Sequence, residues 1–254
     1  MRQRHENVTP LSPHNLLCVT LYWLRKYPSF DDMVALFQQT RRYLFDALKD
    51  VVHILDDHIF TKLIYPIDHT SPISTRSSLQ HVKILVDSTF LPLPKTPFDP
   101  KLYHKKSPTK SAWKFEIACD LSHRIVNVSK AYRGATHDMR IIRESGTLQQ
   151  ASASSLILGD KGYAGQLGIV TPQKKSRKRS RELMGLEEDK VKRHELESER
   201  AAIENINQRV KQWHIISGVY RGEHHYTSFI DHVIRTVCAL TNLLLQKHPL
   251  RKLK

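Results

Sequence analysis

Residues 154–165 read SSLILGDKGYAG, a short and almost wholly apolar run that meets an acid, Asp160, and then breaks on Gly162 and Gly165. A run of this length and character suits a strand covered on both faces of its sheet. Aspartate and glycine are turn residues, so Asp160 taken alone is an ordinary strand-end turn residue. Its meaning depends on what the rest of the chain brings beside it.

Working outward, HVKILVDST (81–89) holds a run from Val82 to Val86 and ends in a second acid, Asp87. WKFEIACD (113–120) and RIVNVSKAY (124–132) both alternate, and read as a hairpin turning through LSH. THDMRIIRES reads as a short helix with Met139 and Ile142 on its inner side. After the strand before Asp160 come a long charged helix, GLEEDKVKRHELESERAAIENINQRVKQW, and a more apolar one, YTSFIDHVIRTVCALTNLLLQK. The order βββαβ plus helices is the ribonuclease-H-like α/β arrangement. There the first and fourth strands are neighbours, so Asp87, closing the first, and Asp160, closing the fourth, would lie side by side.

The first 65 residues read differently. Leu16, Leu17, Leu21 and Leu24 follow helical spacing up to Pro28. Ser29 with Asp32 makes a capping-box-like start for a helix carrying Phe30, Met33, Val34 and Phe37 on one face. Thr40 caps a third helix whose stripe is Leu44, Ala47 or Leu48, Val51 and Leu55. Three helices with a tight second turn match an all-α helix-turn-helix module, and Arg41 and Arg42 would open its recognition helix. The turn lacks the glycine often found there, and the plainer reading is a helical bundle that only packs on the rest. The expected organisation is therefore a helix-turn-helix module over 1–65, a Pro- and Ser-rich linker over 66–80, and a ribonuclease-H-like domain over 81–250 with a basic insertion near 173–194.

Asp87 and Asp160 alone do not make a site. Two like charges a few ångströms apart are costly unless a cation neutralises them, and Mg²⁺ does so through oxygen ligands. A third acid, Glu204, flanks the seam Leu196, Ile203, Ile206, Val210 and Trp213 of the long helix. An Asp-Asp-Glu set suits two-metal phosphoryl chemistry with Mg²⁺ or Mn²⁺. Each acid singly is better explained as structure; the three together are not.

Forty Lys and Arg against twenty-five Asp and Glu leave a net charge of +15 and a pI near 9.8, which favours polyanion partners such as DNA, RNA or anionic lipid, with nucleic acid first. The stretch KKSRKRSR (174–181) carries six basic residues in eight. Lys174, Lys175, Arg177, Lys178 and Arg179 read as a DNA-gripping loop, a nuclear localisation signal or a merely solvated loop. Cys18, Cys119 and Cys238 lie roughly a hundred residues apart and spell neither a disulfide framework nor a metal motif, so they read as small buried hydrophobes. His224, His225 and His232 read as surface histidines rather than zinc ligands, and Trp23, Trp113 and Trp213 as core anchors. No run of ~18 apolar residues and no secretory leader is evident, which points inside the cell, without a membrane partner.

ILVDST, YRGATHDMRII, LILGDKGYAG, ERAAIENINQRVKQW and VIRTVCALTN, in that order, resemble the successive blocks of a DDE transposase of the Harbinger and bacterial insertion-sequence group. The likeness extends from about Leu11 to Leu245, with LLCVTLYWLRKYPSFDDMVALF resembling the group's helix-turn-helix segment. The resemblance implies a metal-dependent DNA endonuclease that cleaves, and in part rejoins, phosphodiester bonds. It makes Asp87, Asp160 and Glu204 the metal-binding catalytic acids, with two divalent cations. His137 and Asp138 match the group's His-Asp pair, as accessory residues or a helix cap. Lys211 resembles its basic residue on the Glu204 helix, a DNA phosphate contact. The basic, Pro-containing stretch after Asp87 is where the group varies. Homo-oligomeric action, an accessory DNA-binding protein, and nuclear residence in a eukaryote or a cytoplasmic one otherwise, are further implications. The competing reading is a domesticated descendant that binds DNA without cutting it.

Overall fold

The computed structural model of the chain describes residues 9–68, 79, 81–95, 99–151, 155–171, 187–222 and 228–250. Residues 174–181, with the five basic side chains expected to grip DNA, lie outside them, as do His224 and His225. The described chain runs α1 (Pro13–Lys26), α2 (Phe30–Phe37) and α3 (Arg41–Leu63), then β1 (Val82–Pro92), β2 (Ala112–Asp120), β3 (Ile125–Val128) and β4 (Tyr132–Arg133). It continues through α4 (Asp138–Glu144), α5 (Thr147–Gln150), β5 (Leu156–Leu158), β6 (Ile169–Val170), α6 (Glu187–Lys211), α7 (His214–Ser217) and α8 (Ser228–Lys247).

The strands form one mixed sheet in the order β3-β2-β1-β5-β6, with β4 paired to β2. β1 and β2 are antiparallel from Ile84–Asp120 to Pro92–Ala112, and β2 and β3 are antiparallel. β5 lies parallel to β1, with Leu85 opposite Leu158, and β6 parallel to β5. The α4–α5 crossover makes this change of direction possible, and the expected first-to-fourth strand neighbourhood is present. The alternating run 124–132 is not one strand. It leaves β2 after Val128, where Ser129 bonds both backbone groups of Glu116 (its N–H to the Glu116 carbonyl, its Oγ accepting the Glu116 N–H), and returns as β4 opposite Trp113 and Lys114. β6 adds a strand too short to leave a period-2 signal.

Each face of the sheet is covered. Ile84, Val86, Ala118, Val126 and Ile157 pack with Ile142 of α4 and with Tyr163. Leu85, Ile117, Cys119 and Leu158 pack on the opposite side with Ile203, Ile206 and Val210 of α6 and with α8. α8 is long and apolar enough to cross a membrane by composition, yet it is a core helix, burying ten residues between Ile230 and Leu245. Its Asn242 accepts from the Ile125 N–H and donates to the Ile125 and Leu63 carbonyls, each at 2.8 Å. That bonding occupies the free edge of β3, which would otherwise be open to pairing.

Several stripes differ from their sequence reading by one helical position. α1 buries Val19, Thr20, Trp23 and Leu24, while Leu17 is exposed. α3 buries Leu44, Leu48, Val52 and Asp56 rather than Val51 and Leu55. α4 buries Ile141 and Ile142, with Met139 half-buried. α3 is packed on α8 as well as on α1 and α2, so a second surface competes for its apolar side chains. The tight turn from α2 to α3 is Gln38–Thr40, and Gln38 takes the left-handed conformation (φ 51°) in place of the expected glycine. Cys119 and Cys238 are buried as expected; Cys18 is exposed. Trp23, Trp113 and Trp213 are all core residues.

Candidate active site

Asp87 does not close β1, which runs on to Pro92 because β2 pairs with it that far. It lies two residues beyond the last β1–β5 pair, Leu85–Leu158, and Asp160 lies two residues beyond on the other strand. The two acids therefore sit level on neighbouring strands, which are ~4.8 Å apart in a sheet. Alternation along β1 sends Leu85 and Asp87 toward α6, and Val86 and Ser88 toward α4. The contacts agree. Asn207 of α6 donates its Nδ2–H to Asp87 Oδ2 at 2.8 Å, and the Ser88 Oγ meets the Tyr163 hydroxyl at 3.0 Å on the opposite face. The Ser88 N–H donates to Asp87 Oδ1 at 2.9 Å.

Asp160 is a turn residue and a site residue at once. Its Oδ1 accepts from the Gly162 N–H at 2.6 Å and caps the single turn Lys161–Tyr163. Gly162 is required by that packing. A Cβ there would fall 2.6 Å from Asp138 Oδ2 and 2.8 Å from Asp160 Oδ1. Asp138, at the start of α4, places its Oδ1 2.6 Å from the Lys114 ammonium, which is buried in β2 and also donates to the Thr136 carbonyl at 3.1 Å.

The charges are strained. Burial, and then the Asp160 charge beside it, push Asp87 up from 3.8 to about 6; Asp138 adds to this, while the Ser88 N–H and Arg200 oppose it. Behind the pair, Glu116 is fully buried. Its carboxylate accepts from Ser145 Oγ and Thr147 Oγ1 at 2.9 Å and from the Tyr163 hydroxyl at 3.2 Å. Burial raises it from 4.5 to about 7 against the pull of those three donors. A chain of hydroxyls, Tyr163 and Ser88, thus joins Glu116 to the strand residue after Asp87.

Asp87, Asp160 and Asp138 are brought together. Glu204 lies on α6, three residues before Asn207 on the same stripe, with its side chain 59% exposed and its Oε1 accepting from Arg200 at 3.3 Å. His137 and Asp138 divide their work: His137 Nδ1 accepts from the Met139 N–H and caps α4, and Asp138 faces the site. Lys211 is in the last turn of α6. Arg41 and Arg42 stand exposed at the start of α3, paired with Asp31 and Asp46. His232 is not a free surface histidine; it bonds Asp56 at the α3–α8 contact. Asn207, Arg200, Lys114, Glu116 and Tyr163 carry no sequence signal of their own chemistry. Asn207 alone could have been flagged, as a polar residue inside the apolar seam of Ile203, Ile206 and Val210.

Among the described residues no group of three or more His, Cys, Asp or Glu side chains closes tightly enough to form a complete metal cage. The Asp87–Asp160 pair nevertheless fits a divalent cation. It sets two carboxylates of hard oxygen donors side by side, their repulsion only partly offset by Arg200 and the Ser88 N–H, and the buried Lys114 ammonium is already paired with Asp138.

Residues 77–242 match the family model described as DDE superfamily endonuclease. Such domains generally use divalent metal ions. Among solved structures, the chain is similar to a piggyBac transposase determined by cryo-EM as a synaptic complex with hairpin DNA. The TM-score is 0.54 at 10% identity, over 97% of this chain and 69% of that one, a likeness of fold. A comparison with curated proteins found no match.

Proposed function

We propose, from the premise that this chain belongs to the DDE superfamily endonuclease family and is thus a DNA-cleaving enzyme of transposase type, that Asp87, Asp160 and Glu204 hold two Mg²⁺ or Mn²⁺ ions for cleavage and joining of DNA strands. The observation that carries this reading is the level placement of Asp87 and Asp160 at the end of the β1–β5 ladder, with Asp87 pushed up to about 6 by burial and by its neighbour. Bound cations would supply activation of a water or 3′-hydroxyl and stabilisation of the leaving oxygen. The chain's own residues do the rest. Ser88 and Asn207 orient the Asp87 carboxylate, and the Asp160 turn holds the second acid beside it. Lys114 keeps Asp138 from adding a third free charge. Glu204 is mostly exposed and, among the described residues, paired with Arg200, an ion pair of small net worth, so it can exchange that partner for a cation.

DNA would lie along the basic surface. The α2–turn–α3 unit acts as a helix-turn-helix reader with Arg41 and Arg42 at its tip, and their exposed pairs with Asp31 and Asp46 exchange for phosphate. Lys211 and the basic residues of 174–181 add phosphate contacts. A homo-oligomer, an accessory DNA-binding protein and a nuclear location in a eukaryote complete the proposal.

The test is cleavage of duplex DNA with Mg²⁺ or Mn²⁺, comparing wild type with Asp160→Asn and Glu204→Gln. Each substitution should lower the rate by a factor on the order of 10³ while DNA binding persists. Wild type that binds DNA and cuts no substrate under either metal would sink the catalytic reading. Gly162→Ala offers an independent check, since its Cβ collides with Asp138 and Asp160 oxygens. Displacing reacting groups by about 1 Å should cost roughly a hundredfold in cleavage rate. A Gly162→Ala protein cutting at the wild-type rate would show that this packing does not matter to the site.

A further inference from the structure

We infer that Asn207 is a positioning residue for Asp87, setting the orientation of its carboxylate across the α6–β1 contact; the inference rests on the reading of Asp87 and Asp160 as cation holders. Asn207 is 5% exposed and sits in the seam of α6 between Ile203, Ile206 and Val210, all buried. A primary amide among aliphatic side chains is costly unless its polar atoms are used. Here only half of it is used. Nδ2 donates to Asp87 Oδ2, while Oδ1 is buried with no hydrogen-bond partner among the described residues. Turning the amide over would set that oxygen against a carboxylate oxygen, so the charge of Asp87 fixes its orientation.

The contact joins residues 120 apart in the chain and complements the local one. The Ser88 N–H holds Asp87 Oδ1 from within the strand, and Asn207 holds Oδ2 from the helix. With both oxygens held, the carboxylate cannot rotate, and its remaining lone pairs keep one direction. The donor is neutral, which is the point of using asparagine. A Lys or Arg in the same place would orient Asp87 and also cancel the charge that a cation must find. Asn207 also stands three residues beyond Glu204 on the same stripe, so one helix fixes the first acid and carries the third.

A residue that only staples α6 to the sheet would be replaced without loss by leucine, which has similar volume and suits the seam. Asn207→Leu and, as a smaller second variant, Asn207→Ala separate the two roles. The protein is stripped of metal, and Mn²⁺ binding without DNA or turnover is measured by the electron paramagnetic resonance of free Mn²⁺, beside the thermal unfolding midpoint. Partners that orient metal-binding side chains typically contribute ten- to hundredfold in metal affinity. Both variants should therefore need about ten to a hundred times more Mn²⁺ for half-saturation, with the Leu variant unfolding no earlier than wild type. Variants that bind Mn²⁺ as tightly as wild type, or whose affinity falls only in step with lost stability, overturn the positioning role. Wild type that binds no Mn²⁺ removes instead the reading of the Asp87–Asp160 site on which the inference rests.

Discussion

Asp87→Asn should make the metal-free protein more stable at pH 8 while abolishing DNA cleavage. The Asp87 carboxyl is raised from 3.8 to about 6, so the folded state binds its proton more tightly than the unfolded chain does. Its stabilising contribution is therefore complete below about 4, and is lost as pH rises through about 6. At about 1.4 kcal/mol per unit the ionised group costs roughly 3 kcal/mol at pH 8. Asparagine removes that cost but weakens bonding to the Ser88 N–H and the Asn207 amide, which offsets part of it. A net gain of about 1–2 kcal/mol remains, read as a higher urea midpoint in EDTA at pH 8 that vanishes at pH 4. Glu116, raised to about 7, adds a decline of the same sign to wild type and variant alike. Loss of stability at pH 8 in Asp87→Asn would show that Asp87 is not held under electrostatic stress. Such stress at a site is expected where function requires charge that folding alone would not place there.

Asp56→Ala should cost about 3 kcal/mol of stability, since removing one member of a buried ion pair strands the other. Asp56 is 3% exposed in the stripe of α3. Its carboxylate accepts from Arg235 Nε at 2.9 Å and from a terminal guanidinium nitrogen, and it meets His232 Nδ1. Both partners lie on α8, so the cluster ties the third N-terminal helix to the core helix that covers β3. Truncation leaves Arg235 half-buried against the Phe60 ring without its anion. Chemical denaturation should show the loss as a lower midpoint, with DNA cleavage at permissive temperature retained. A change under about 0.5 kcal/mol would mean that water already compensates the pair.

The sheet and the two aspartates were legible because they rest on local chemistry. Runs such as ILVD and LILGD are apolar strands ending in an acid, and βββαβ leaves few topologies. The α6 seam through Ile203, Ile206 and Val210 was equally plain from its spacing. What was hidden depends on contacts far apart in sequence. Asp56 reads as a surface acid until α8 brings Arg235 and His232 to it, and that is why the α3 stripe falls on Val52 rather than Val51. Glu116 looks like the polar half of an alternating strand until Ser145, Thr147 and Tyr163 close over it. Asp87 appeared to end its strand because its chemistry changes there, yet β2 continues to pair. The orientation of Glu204 toward Arg200, and the part played by Asn207 one turn later, are facts of helix rotation that spacing alone does not fix.

The most direct test of the site is a Mn²⁺-soaked crystal of the full chain at pH 8, with anomalous scattering used to locate the ion. The account predicts a Mn²⁺ peak bonded to carboxylate oxygens of both Asp87 and Asp160, lost in Asp160→Asn. Well-ordered crystals at saturating Mn²⁺ with no peak between these two residues, or with the Lys114 ammonium moved in to bridge them, would contradict it.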